Sequence, residues 1–362
     1  MAPIRVMVVD DSVVVRKLVT DVLSADPAIE VVGTAVNGRV ALAKLETLRP
    51  DLVTMDIEMP ELDGIGAVTA IRAAGNRVPI VMFSTLTERG ATATLDALAA
   101  GADDYVTKPA NVGSIGASME SVRQQLVPRI KALTGRRVDP VLPAPRAAAP
   151  ATPAPARTGV RRTPAVLVIG SSTGGPDALS KVLPRLPADL AVPVLVVQHM
   201  PPVFTAQFAA RLDRLSPLSV VEAVAGTPLR PGTVHVAPGD FHLTVSSTGG
   251  LRRTALDQGD PENFCRPAVD VLFRSAVAAY DGAVLAVVLT GMGHDGRDGA
   301  ALVRDAGGTV LAQDQATSVV WGMPGAVTQA GLADEVLPLD RVADAVLRRL
   351  PARRPTLSGV PA

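Results

Sequence analysis

Short apolar runs and longer mixed stretches alternate along most of the chain. In the first third, residues 5–9, 29–34, 51–55 and 79–83 are rich in Val, Ile, Leu, Met and Phe and too short for helices, and 104–107, "DYVT", is a further strand-like run. The stretches between them are long enough for one helix each, so the pattern predicts five strands in a βα alternation. A second series begins at 165–169 and continues through 192–197, 234–237, 283–289 and the "TVLAQD" that follows. These runs are continuously apolar rather than alternating, the mark of parallel strands covered on both faces. Two α/β domains are expected, the first a flavodoxin-like doubly wound sheet and the second also doubly wound and mainly parallel.

Between the two series the pattern stops. Six prolines fall between Pro140 and Pro155, with no aromatic residue and no apolar face. Such a segment cannot bury enough surface to order itself and reads as a semi-extended spacer. The expected organisation is a first domain over 1–125, a linker over 126–163, a second domain over 164–350 and a disordered tail over 351–362.

Composition narrows the function classes. Lys plus Arg and Asp plus Glu both number 35, so the chain is formally neutral, and no basic stripe recommends nucleic acid or an anionic membrane as partner. The opening "MAPIRVMVVDD" suits a buried strand and resembles neither a signal peptide nor a spanning helix, which points to the cytoplasm. The lone cysteine, Cys265, excludes an intramolecular disulfide and is expected as a small buried hydrophobe. His199, His235, His242 and His294 are the only imidazoles.

Chemistry gathers at the strand ends. Asp10 and Asp11 follow the first predicted strand, Asp56 the third, Ser84 the fourth, and Lys108 with Pro109 the fifth. In a parallel doubly wound sheet these ends share one edge, where ligands bind. Three carboxylates there repel one another unless a hard cation such as Mg²⁺ sits among them. With the metal and Lys108 neutralising charge, one carboxylate can attack a phosphoryl donor, and Asp56 is central enough to do so. The stretches "VVDDS", "MDIEMPELDG", "VMFST" and "YVTKPA" resemble, in order, the motifs of the response-regulator receiver domain. The resemblance implies that a sensor histidine kinase phosphorylates Asp56. It makes Asp11 and Asp56 metal ligands with Asp10 close by, and adds the backbone carbonyl of Glu58. Ser84 and Lys108 would contact the phosphoryl group, and Tyr105 would be a second switch residue.

The second domain opens with "VIGSSTGGPDAL". One reading makes its glycines a phosphate nest at a helix start. Against it, the G-x-G-x-x-G spacing is absent, no P-loop lysine follows, and the next strand ends in Gln198 and His199 where a ribose-binding acid belongs. The other reading is a G-x-S-x-G nucleophile elbow on Gly170, Ser172 and Gly174, with Ser171 a turn residue. His199 and Asp295 also stand beyond apolar runs, so a parallel sheet brings nucleophile, base and orienting acid to one edge. His294 is the rival base, His235 reads as structural, and His242 is divided between surface and substrate groove.

"IGSSTGG", "QHMPPVFT", "VHVAPGDFHL", "FCRPAVDVLF", "LTGMGHDG" and "WGMPGAV" resemble the catalytic domain of chemotaxis-type protein-glutamate methylesterases over roughly 164–350. The resemblance maps a triad onto Ser172, His199 and Asp295 and suggests the Met292 N–H as oxyanion donor. It implies hydrolysis of glutamate γ-methyl esters on chemoreceptors, deamidation of some glutamines, and relief of a receiver-imposed block on phosphorylation. The chain departs from the family at Ser171 (usually alanine), Val203 (usually glycine) and His294 (commonly asparagine). The competing class is a phosphorylation-controlled scaffold in which the triad residues are inert.

Overall fold

The computed structural model describes residues 2–109, 115–135 and 162–351, and these fall into two compact units. Among the described residues the first unit has five strands: β1 (Ile4–Val9), β2 (Ile29–Ala35), β3 (Leu52–Asp56), β4 (Ile80–Ser84) and β5 (Asp104–Thr107). All pair in parallel, in the order β2-β1-β3-β4-β5. This is the doubly wound, flavodoxin-like order expected from the alternation. Side chains of Ser12, Asn37, Asp63 and Thr87 each cap the helix that follows by accepting a backbone N–H, so helices start promptly after the strand ends.

The last helix of this unit, Ile115–Leu133, runs through the boundary expected at residue 125. Val122, Leu126 and Ile130 repeat at four-residue spacing and are fully buried in the core with Val6, Val8 and Val106. An apolar stripe of this period commits the segment to the domain, which corrects a linker start at 126. Residues 136–161 of that linker, and the tail beyond Pro351, lie outside the described residues.

The second unit has a seven-stranded parallel sheet among the described residues. Its strands are β6 (Val166–Ser171), β7 (Val194–Gln198), β8 (Ser219–Glu222) and β9 (Thr233–Val236). After a separate antiparallel hairpin, β10 (His242–Thr248) and β11 (Leu251–Asp257), come β12 (Val284–Val288), β13 (Thr309–Gln313) and β14 (Glu335–Leu337). The order is β14-β13-β12-β6-β7-β9-β8. Val166 to Ile169 and Val284 to Val288 are inaccessible to solvent, as two-sided cover requires. From β6 the chain winds outward through β7 to the edge strand β8, returns to β9 between those two, then crosses to β12 and winds the other way. The switch point therefore falls between β6 and β12, where a crevice opens beyond the carboxyl ends. No described helix is long and apolar enough to cross a membrane.

Candidate functional site

In the first unit the predicted cluster assembles at one edge. Lys108 Nζ lies 2.8 Å from Asp56 Oδ1 and 3.1 Å from Asp10 Oδ2. Carboxylate oxygens of Asp10, Asp11 and Asp56 lie within 4.8 Å of one another. Burial pushes the Asp56 carboxyl up to about 6; the Lys108 hydrogen bond opposes this and the Asp10 charge adds to it. Asp10 Oδ2 is buried with the Lys108 ammonium as its close partner. Three carboxylates within 4.8 Å of one another, with that single ammonium between two of them, are a donor set for a hard divalent ion. The adjoining cleft, about 290 Å³, is lined by Asp11, Asp56, Glu58, Ser84, Thr85 and Lys108 among others. The Glu58 side chain points to Arg89, 3.4 Å away. Ser84 Oγ contacts Thr94 Oγ1 at 2.6 Å. Tyr105 is buried, which raises the pKa of its hydroxyl.

In the second unit Ser172 follows β6, His199 follows β7, and Asp295 lies in the loop after β12. The three ends are adjacent because β12, β6 and β7 are adjacent. Backbone bonds lock the edge: Ser172 N–H donates to Thr290 O at 3.0 Å and His199 N–H to Ser171 O at 3.1 Å. Gln198 Nε2 donates to Ser172 O, and Ser171 Oγ donates to Gln198 Oε1. Ser171 is thus a buried structural hydroxyl. Gly174 turns the chain at φ +75°, where a side chain would also meet Val319 at 2.6 Å. Gly291 leaves room for the serine, since a Cβ there would stand 2.8 Å from Ser172 Cβ.

Asp295 holds His199. Its Oδ2 lies 2.8 Å from His199 Nε2 and accepts from Val269 N–H at 2.6 Å. Its Oδ1 accepts from Asn263 Nδ2, Asp270 N–H and Gly296 N–H, each at 3.0 Å. Burial opposes the Asp295 charge, but the His199 bond and charge and these amides prevail and hold its carboxyl at about 2. Two of the amides open the helix Val269–Ala279, whose positive end favours an anion. Asn263 bridges Asp295 and the buried Asp270, with 2.9 Å to Asp270 Oδ2. Burial, followed by the Asp295 charge, lifts Asp270 to about 7 against its Gly299 hydrogen bond.

The other imidazole nitrogen, Nδ1, faces Cys265 Sγ at 3.5 Å. Cys265 is half-buried, which corrects the expectation of a core hydrophobe. Burial opposes charge on His199, while negative charge at Cys265 and the bonds to Asp295 and Cys265 outweigh it and carry the imidazole to about 10. The Cys265 share of that rise exists only when the sulfur is a thiolate. Beside a neutral thiol, the Asp295 share alone remains. Among the described residues Ser172 Oγ makes no hydrogen bond to His199. The Met292 N–H has no protein acceptor among the described backbone bonds.

The remaining histidines separate cleanly. His242 is buried, with Nδ1 accepting from Ala268 N–H and Nε2 near Asp260 O at 3.0 Å, so it is structural. His235 is buried in β9 with neither ring nitrogen bonded. Among the described residues His294 makes no side-chain hydrogen bond to Ser172 or to Asp295, whose carboxylate is held by other groups.

The loop bearing Cys265 is strained. Glu262 and Cys265 exchange backbone bonds of 2.9 and 3.1 Å, and Asn263 and Phe264 between them have φ of 53° and 62°. Asn tolerates this region, but for Phe it costs about 1–3 kcal/mol. Val203, at φ 72°, is the one β-branched residue at positive φ among the described residues. Asn263, Cys265, Asp270 and Gln198 were not picked out as site residues from sequence, because no local spacing marks them.

Two family descriptions match: a response regulator receiver domain over residues 6–120 and a CheB methylesterase over 167–346. The chain is 66% identical to a protein-glutamate methylesterase/protein-glutamine glutaminase of a Nocardioides species, over 99% of this chain and 98% of that protein. It is 46% identical to one of the same description from Trichodesmium erythraeum, over 97% and 100%. Among solved structures it resembles the Thermotoga maritima CheB methylesterase catalytic domain, 46% identical, with a TM-score of 0.50, covering 51% of this chain and 98% of that one.

Proposed function

Because the chain belongs to the protein-glutamate methylesterase/protein-glutamine glutaminase family, we propose that it demethylates, and at some positions deamidates, chemoreceptor proteins by a Ser-His-Asp mechanism. The observation that carries this reading is the 2.8 Å pair of His199 Nε2 and Asp295 Oδ2 beside the Ser172 elbow. Asp295 fixes the tautomer with its proton on Nε2, leaving Nδ1 to take the Ser172 proton as Oγ attacks the ester carbonyl. For that step Nδ1 exchanges its thiol neighbour for the serine hydroxyl. Catalytic hydrogen bonds are often long before substrate arrives. The tetrahedral oxyanion is held by the Met292 N–H. His199 then returns its proton to the leaving methoxide oxygen, which departs as methanol, or to the amide nitrogen of glutamine, which departs as ammonia. Water activated by the same imidazole cleaves the acyl-serine and restores a glutamate carboxylate.

Control is assigned to the receiver. Asp56 accepts a phosphoryl group from a sensor histidine kinase of the chemotaxis pathway, and this relieves a block that the receiver imposes on the esterase. Asp11 and Asp56, with Asp10 near and the Glu58 carbonyl completing the set, would hold Mg²⁺, which neutralises charge during the transfer. Ser84 and Lys108 would bind the phosphoryl oxygens, and Tyr105 would respond to their movement. The receiver is taken to end with the helix Ile115–Leu133, the Pro/Ala-rich stretch to be a spacer, and the enzyme to work in the cytoplasm at receptor arrays.

The test is a serine-directed fluorophosphonate together with methanol release from a methyl-esterified receptor fragment. Labelling at Ser172, and a loss of at least about 10³-fold in S172A, are expected. An unlabelled Ser172, or undiminished release by S172A, rejects the mechanism.

A further inference from the structure

The turn Glu262–Cys265 grips the catalytic pair on both sides of one residue. Asn263 reaches the Asp295 carboxylate, Cys265 lies against the His199 imidazole, and Phe264 stands between them. Phe264 is 95% exposed, the one aromatic among the exposed large apolar residues described. Its backbone is held in the left-handed region, φ 62°, by the two bonds between Glu262 and Cys265. An apolar ring that is both strained and solvated gains nothing for the fold. Across the site Val319, which packs where a Gly174 side chain would stand, is 39% exposed. Apolar surface therefore flanks the reacting groups on the imidazole side and on the serine side.

We propose that Phe264 is a substrate-gripping residue, its ring packing on an apolar side chain of the protein substrate next to the modified glutamate. The proposal rests on the methylesterase reading above. Its position explains why strain is retained there: burying the ring against substrate takes apolar area out of water only in the complex, and the same turn fixes the imidazole and its acid. Substrate seating and catalytic geometry are thus set by four consecutive residues.

The full chain supplies the test, as wild type, F264A and F264L, on three esters. One is a 15-residue peptide with a single γ-methyl glutamate between leucines, the second the same peptide with serines for those leucines, the third N-acetylglutamate γ-methyl ester. F264A is expected to raise KM for the leucine peptide about tenfold with kcat within about twofold, and F264L to recover most of it. The serine peptide and the small ester should be unaffected. Equal loss on all three esters makes the turn merely structural and overturns the proposal, as does no loss on any. Equal loss on both peptides alone overturns the apolar contact. An F264A enzyme more active than wild type without phosphodonor assigns the ring to the receiver and also overturns it. Wild type releasing methanol from none of the esters rejects the methylesterase reading itself.

Discussion

His199 has a different partner on each ring nitrogen, and its titration depends on both. As a thiolate, Cys265 favours the charged ring from Nδ1, and Asp295 does so from Nε2. Because only neutral imidazole can accept the serine proton, kcat/KM should rise with pH through the His199 pKa. Where Cys265 is a thiolate, removing the sulfur lowers that pKa and the rising limb of the pH–rate profile in C265A should move to lower pH; an unmoved limb shows a neutral thiol with no charge coupling to the imidazole. Val203 lends itself to a stability test. Its φ of 72° is costly for a β-branched side chain, so V203G should raise the thermal midpoint of the catalytic unit by about 2–4 °C. At this scale the residues at strand ends were legible, since a parallel sheet carries its ends to one edge. Cys265 and Asn263 were not, because their roles come from a loop that meets Asp295 some thirty residues away in sequence.

The elements themselves follow from the apolar pattern, and the exceptions have identifiable causes. Leu126 and Ile130 look like the start of a polar spacer until the helix carrying them is seen against β1 and β5. A fragment ending at residue 125 should unfold at lower urea than one ending at 135, having lost about 1.5–3 kcal/mol for each buried side chain. The hairpin β10 to β11 turns at Gly249 and Gly250, both at positive φ. That glycine pair is the local signal for it, masked by the α/β rhythm around it, which favours parallel strands. At the nucleophile turn, G174A introduces a side chain both left-handed and in collision with Val319. A displacement near 1 Å at Ser172 should cost about 10²-fold in kcat with the fold intact, measured by methanol release beside circular dichroism.

For the molecule as a whole, two chemistries are kept in two separate units, and each can be silenced alone. Mg²⁺ at ten times its dissociation constant should add about 1.4 kcal/mol to the receiver, raising its melting midpoint by several degrees, and D56A should lose most of that gain. D56A should also keep basal esterase activity while losing its stimulation by acetyl phosphate, whereas S172A should still be phosphorylated; loss of both properties in either variant argues against the division. The Asp295 carboxylate has a consequence of another kind. Its donors come from residues 199, 263, 269, 270 and 296, so it collects contributions from four stretches of chain made at different times during synthesis. The nascent enzyme therefore has no assembled acid until the loop after β12 has left the ribosome and docked. On the proposed mechanism, the order of translation keeps hydrolysis silent in every shorter product, although the receiver sequence is complete long before.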